Sequence, residues 1–200
     1  MDAHRAGVGL MGMVGLGFDP ALGGRTGLIA AHYGERLTIL DARTDVGLQR
    51  VEEELEAIED FVVKYKPSTV TVEIDSQQKG FANDDRLRAM GLRYGFAIRN
   101  HITRGRKMDE TFGVAAMDKH FRKGNIRIPW GDNKTIDRMT PLVTQLRAWR
   151  PDIPTKHLTQ DLVMALWFVV LHWEQMQGRQ QAPAPAWRPS WMLEQGALVG

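Results

Sequence analysis

A chain of 200 residues that is 43% hydrophobic and 25% charged, with a formal net charge of +2, fits one soluble domain with a sizeable core. The absence of cysteine excludes a disulfide framework and any thiolate metal site, and it fits a reducing cytoplasm. The longest apolar run, Leu162 to Leu171, is too short to span a bilayer and reads as a buried helix.

The first twelve residues hold a lone Arg5 and a Gly/Met-rich stretch. They resemble a signal peptide only weakly, because the apolar run continues into a strand, about Met13 to Asp19. Pro20 to Gly27 is turn-rich, and Leu28 to Tyr33 with Arg36 to Leu40 reads as a hairpin around Gly34-Glu35. Val51, Leu55, Ile58, Val62 and Tyr65 recur at helical spacing, which predicts an amphipathic helix over Val46 to Tyr65 with its acids on the other face. Pro67 stops it. A buried strand over Thr69 to Asp75 follows, then a turn, a short helix (about Phe81 to Met90) and a strand from Phe96 to Asn100. A basic loop, Thr103 to Lys107, leads to a helix ending near Phe121 and a short strand over Asn125 to Ile128. Thr135 to Trp149 and Leu158 to Met176 complete the helices. Residues 1–177 form the expected domain, and the Pro/Ala/Trp-containing tail 178–200 reads as an extended or disordered arm. Three adjacent strands suggest an antiparallel meander, and later strands separated by helices suggest parallel additions. Such a sheet would set the C-terminal ends of the first and fourth strands side by side, if those strands are neighbours.

Charge is unevenly placed. The charges between Asp41 and Asp60 are mostly acidic, whereas those from Arg86 to Arg127 are mostly basic and suit a polyanion. Three acids also stand where apolar elements begin or end: Asp19, Glu73 and Asp161. Taken singly, Asp19 can start a turn, Glu73 and Asp75 can be strand-end charges, and Asp161 can complement a helix dipole. Taken together they suggest a divalent-metal site, because hard cations prefer carboxylate oxygens. His157 precedes Asp161 by one helical turn, where it could bind a metal, steer a water or contact phosphate.

Gly17-Phe18-Asp19-Pro20-Ala21, followed by Gly23, Gly24 and Gly27, resembles the first acidic motif of ribonuclease H-like nucleases. Val72-Glu73-Ile74-Asp75-Ser76 with Gly80 resembles the second, and Gln160-Asp161-Leu162-Val163-Met164-Ala165-Leu166-Trp167 the third. Thr103 to Pro129, and the helix Thr135 to Trp149 leading through Pro151 to Asp161, look like the nuclease domain of phage large terminase subunits. The resemblance implies an α/β, ribonuclease H-like mixed five-stranded sheet flanked by helices, and metal-dependent cleavage of double-stranded DNA. Asp19, Glu73 and Asp161 would be catalytic metal ligands for Mg²⁺ or Mn²⁺ in a two-metal site, with Asp75 and His157 as auxiliary ligands. Arg104, Arg106, Lys107, Arg122 and Lys123 would hold the DNA backbone. The implied partners are an ATPase motor domain or chain, a small terminase subunit and a portal, in the cytoplasm of a host cell and away from any membrane.

Two features depart from that pattern. Gln160 and Leu162 flank Asp161 where many members have a second acid, and the chain has no G-x-x-x-x-G-K-[ST] phosphate loop. The expectation is therefore an excised domain, a separately encoded nuclease half or a relative without a motor. A Holliday-junction resolvase shares the fold and a Gly-x-Asp-Pro-like first motif. A non-catalytic nucleic-acid-binding module of the same fold is the third reading.

Overall fold

The computed structural model describes residues 12–21, 24–46, 50–74, 81, 84–103, 109, 113–150 and 159–181. Period-two alternation in the first strand, β1 (Met13–Asp19), sets the two faces of the sheet. Leu16 and Phe18 enter one apolar cluster, whereas Gly15 and Gly17 turn to the other face, where Gly15 leaves room for the Tyr33 ring and Gly17 for a helix. β2 (Arg25–Tyr33) pairs antiparallel with β1, and β3 (Leu37–Val46) pairs antiparallel with β2. The β2–β3 register shifts between Ala30 and Ala31, leaving Leu40 as an extra residue in β3.

After α1 (Val51–Tyr65), β4 (Thr69–Glu73) returns parallel to β1. α2 (Asp85–Tyr94) then leads to β5 (Ala97–His101), parallel to β4. A 3₁₀ turn (Val114–Met117), α3 (Asp118–Arg122) and β6 (Ile126–Arg127) follow, and β6 pairs parallel with β3. α4 (Asn133–Ala148) and α5 (Asp161–Gln181) complete the order. The sheet runs β5-β4-β1-β2-β3-β6. α1 and α2 cover the face carrying Leu16, Phe18, Val70 and Val72; α5, α4 and the 3₁₀ turn cover the other. α5 is buried on nearly every side from Asp161 to Val170, as a helix packed between a sheet and further helices must be.

Several expectations need correcting. The sheet has six strands, not five, because Ile126–Arg127 adds to β3 through one short pairing. Val46 belongs to β3, opposite Arg25, and α1 begins at Val51. β6 covers only Leu37 and Thr38, so the rest of β3 is an outer strand whose Arg43 and Asp45 form an ion pair at 2.7 Å. The strand expected here, Arg36 to Leu40, stops short of them. α2 runs on from Asp85 to Tyr94, because Gly95, at φ 76°, supplies the left-handed cap. α5 starts at Asp161 and runs to Gln181, past Gly178, where the tail was expected to begin; residues 182–200 lie outside the described residues. Among the described residues, no helix is long and apolar enough to cross a membrane.

Candidate active site

The glycines of β1 and β2 bring the acids together. A Cβ on Gly17 would lie 2.1 Å from the Ala165 carbonyl oxygen, and one on Gly27 would lie 2.3 Å from that of Asp161. Only glycine permits so close an approach, so α5 rests directly on the two strands. Gly27 is the ladder partner of Asp19, which sets the start of α5 beside the end of β1. On the other side, Phe18 pairs with Val72, so Asp19 and Glu73 are the next residues in register. Alternation puts both on the face toward α5, since Phe18 and Val72 fill the opposite cluster. Asp19, Glu73 and Asp161 thus share one face at the C-terminal ends of two parallel strands.

Glu73 and Asp161 are 9% and 5% exposed, and among the described residues neither is paired with a basic side chain. Hydroxyl and amide donors offset part of that cost. The Thr44 hydroxyl donates to Asp161 Oδ2 at 2.7 Å, and Gln145 Nε2 donates to the same oxygen at 3.1 Å. Gln145 Oε1 also accepts the Leu162 N–H at 2.9 Å, so one amide from α4 holds both the side chain and the first turn of α5. Thr103 donates its hydroxyl to Glu73 Oε1. His101 is the ladder partner of Glu73, and its ring packs against Trp167 and Phe168 with centroids 4.9 Å from each. Leu162, the residue after Asp161, is a fully buried core residue.

A fourth carboxyl approaches from the other face. Glu54 of α1 has no exposed surface, and its Oε1 accepts the Ala21 N–H at 3.0 Å. Burial pushes its carboxyl up to about 7, and the Ala21 hydrogen bond opposes that rise. The expectation that the acids of this helix share the exposed face fails here. Glu54 lies three residues after Val51 and four before Ile58, within the apolar stripe, and that spacing is a signal the sequence does contain. Thr44, Thr103 and Gln145 carry no such signal.

The donor chemistry suits a hard divalent cation: buried carboxylates without basic partners, with Asp161 Oδ1 and Glu73 Oε2 not engaged by the bonds above. Among the described residues, however, no three Asp, Glu or His side chains are spaced to hold one ion. The auxiliary residues Asp75 and His157, and the basic residues Arg104, Arg106 and Lys107, lie outside the described residues. Arg122 and Lys123 are exposed, with Arg122 Nε 2.6 Å from Asp118. They lie just beyond Lys119 and His120, which bind Glu174 at 2.8 and 2.6 Å. At ~1.5 Å rise per residue, Glu174 is roughly 20 Å along α5 from Asp161, so this pair sits toward the opposite end of the sheet.

No protein-family model and no curated protein matches the chain. Solved structures do. Thermus thermophilus RuvC in complex with a Holliday junction substrate is similar at 14% identity and TM-score 0.50, over 86% of this chain and 99% of that chain. A second T. thermophilus RuvC structure matches at 14% identity and TM-score 0.46, over 85% and 98%. The large terminase of a thermophilic bacteriophage matches at 14% identity and TM-score 0.43, over 58% of this chain and 28% of that chain. At such identity the likeness speaks for the fold alone. The strand order and layering agree with it: this is a ribonuclease H-like fold, a mixed six-stranded sheet flanked by helices.

Proposed function

We propose that this chain is a divalent-metal-dependent endonuclease that cleaves double-stranded DNA, acting as the nuclease part of a phage packaging terminase. The observation that carries this reading is the gathering of Asp19, Glu73 and Asp161 on one face at the ends of β1 and β4 and the start of α5. Mg²⁺ or Mn²⁺ held there would supply an activated water and stabilise the leaving oxygen. The protein's own part is to orient the ligands. Thr44 and Gln145 fix Asp161, and Thr103 fixes Glu73. Asp75 and His157 are the auxiliary ligands in this reading.

Backbone contacts fall to Arg104, Arg106 and Lys107, which follow Thr103, the residue bonded to Glu73, in the sequence. Arg122 and Lys123 would meet a duplex only where it extends along α5. Phosphate contacts of this kind carry no sequence preference. The motif resemblance from Thr103 to Asp161 favours a terminase-type nuclease, which would work with a motor, a small subunit and a portal.

Similarity to RuvC across 99% of that chain favours the second reading, a junction resolvase. One experiment separates them. Supercoiled plasmid and a synthetic four-way junction are incubated with the full chain in Mg²⁺ or Mn²⁺, beside Asp19→Ala. Nicking and linearisation of plasmid, abolished by Asp19→Ala in a folded protein, is the expected result. Selective junction cutting moves the assignment to the resolvase, and an unchanged rate in Asp19→Ala removes the active-site assignment.

A further inference from the structure

Glu54 is a buried carboxyl that the proposed chemistry leaves unused. Its Oε1 accepts from Ala21, 33 residues away in sequence, while Oε2 is buried with no hydrogen-bond partner among the described residues. Ala21 is the second residue after Asp19. Pro20, between them, has no N–H to offer. The Ala21 carbonyl closes a local turn by accepting from Gly24 N at 2.8 Å, but its N–H goes to Glu54 on α1. A side chain from the opposite face of the sheet therefore holds the chain as it leaves the strand that carries Asp19. Leucine would sit in this apolar stripe with Leu55 and Ile58 at lower desolvation cost, but it would leave the Ala21 N–H without its acceptor.

We propose that Glu54 is a positioning residue for Asp19: its carboxyl oxygen anchors the Ala21 N–H and so fixes how the Asp19–Pro20–Ala21 turn leaves β1. Glu54 acts on the backbone and touches neither DNA nor metal in this role. Its effect on cleavage rests on the nuclease reading; the tether itself does not.

The test compares the full-length wild type with Glu54→Gln and Glu54→Leu, with Glu54→Ala replacing the leucine variant should that not fold. Hydrogen exchange of the Ala21 amide, read by NMR in metal-free protein, should be slow in wild type and Glu54→Gln. It should speed up about tenfold or more in Glu54→Leu while amides of β1 stay protected. Plasmid cleavage by Glu54→Leu should lose about tenfold or more in kcat with KM for DNA little changed, because a shifted ligand costs rate rather than affinity. Glu54→Gln should restore most of kcat, since its amide oxygen can accept the same N–H. Unchanged Ala21 exchange in Glu54→Leu overturns the tether. A Glu54→Gln enzyme as slow as Glu54→Leu overturns the positioning role and assigns the effect on cleavage to charge. A wild type that cleaves no DNA ends the nuclease reading, and the exchange rates still decide the tether.

Discussion

Glu54 and Asp161 are both buried acids, but the fold compensates them differently. Among the described residues, Asp161 receives a hydroxyl and an amide donor, whereas Glu54 receives one backbone N–H at Oε1 and none at Oε2. The Glu54 carboxyl stands at about 7 against an ordinary 4.5, so the folded protein holds a proton that the unfolded chain has released. Stability then falls as pH rises from about 4.5 to about 7, by about 3 kcal/mol in all, and levels off above. Urea titrations of wild type and Glu54→Gln across that range should show this slope in the first and its loss in the second. At Asp161, Gln145→Ala removes a donor to the carboxylate and the acceptor for Leu162 N, which should cost about 1–3 kcal/mol in the same assay. Asp161 is legible in the sequence as an acid opening an apolar helix. Gln145 and Thr44 are not, because they reach it across separations of 16 and 117 residues.

Contact between α5 and the strands depends on what the strands lack. Gly17→Ala would drive a methyl into the Ala165 carbonyl oxygen at 2.1 Å, and neither backbone can yield without parting the helix from β1. A loss of about 2–4 kcal/mol in thermal or urea unfolding is expected, in the range of overpacked cores. Gly27→Ala meets the Asp161 carbonyl at 2.3 Å and should displace the carboxylate end of the helix, reducing cleavage as well as stability. Gly34→Ala is the control: its nearest neighbour would be a His32 ring atom at 3.4 Å, an ordinary contact, so its change should stay within about 0.5 kcal/mol. Helical spacing in α1 and alternation in β1 and β4 made these elements readable in advance. The outer part of β3 was not, since Asp41, Arg43 and Asp45 break the apolar pattern beyond Leu40.

Across the whole molecule, acids and bases are segregated along the chain, and among the described residues the basic candidates Arg122 and Lys123 lie away from Asp161. Thr103, bonded to Glu73, leads straight into Arg104, Arg106 and Lys107, while Arg122 and Lys123 stand toward the other end of α5. Binding of a short DNA duplex, measured by fluorescence anisotropy from low to physiological salt, should weaken steeply as salt rises and depend little on sequence. Replacing Arg104, Arg106 and Lys107 by Ala should flatten that dependence by up to about three phosphate contacts, and replacing Arg122 and Lys123 should flatten it less. Equal effects of the two sets would indicate a duplex lying along the full length of α5.

Residue patterns alone lead to an α/β domain with a meander, parallel additions and acids at the ends of its apolar elements. Periodicity and breakers are local, and they survive without knowledge of neighbours. Long-range contacts alone set β1 beside β4, admit the start of α5 over glycines, and bring Thr44 and Gln145 to Asp161, Thr103 to Glu73 and Glu54 to Ala21. Those contacts join residues far apart in the chain, so they exist only once the sheet has chosen its order.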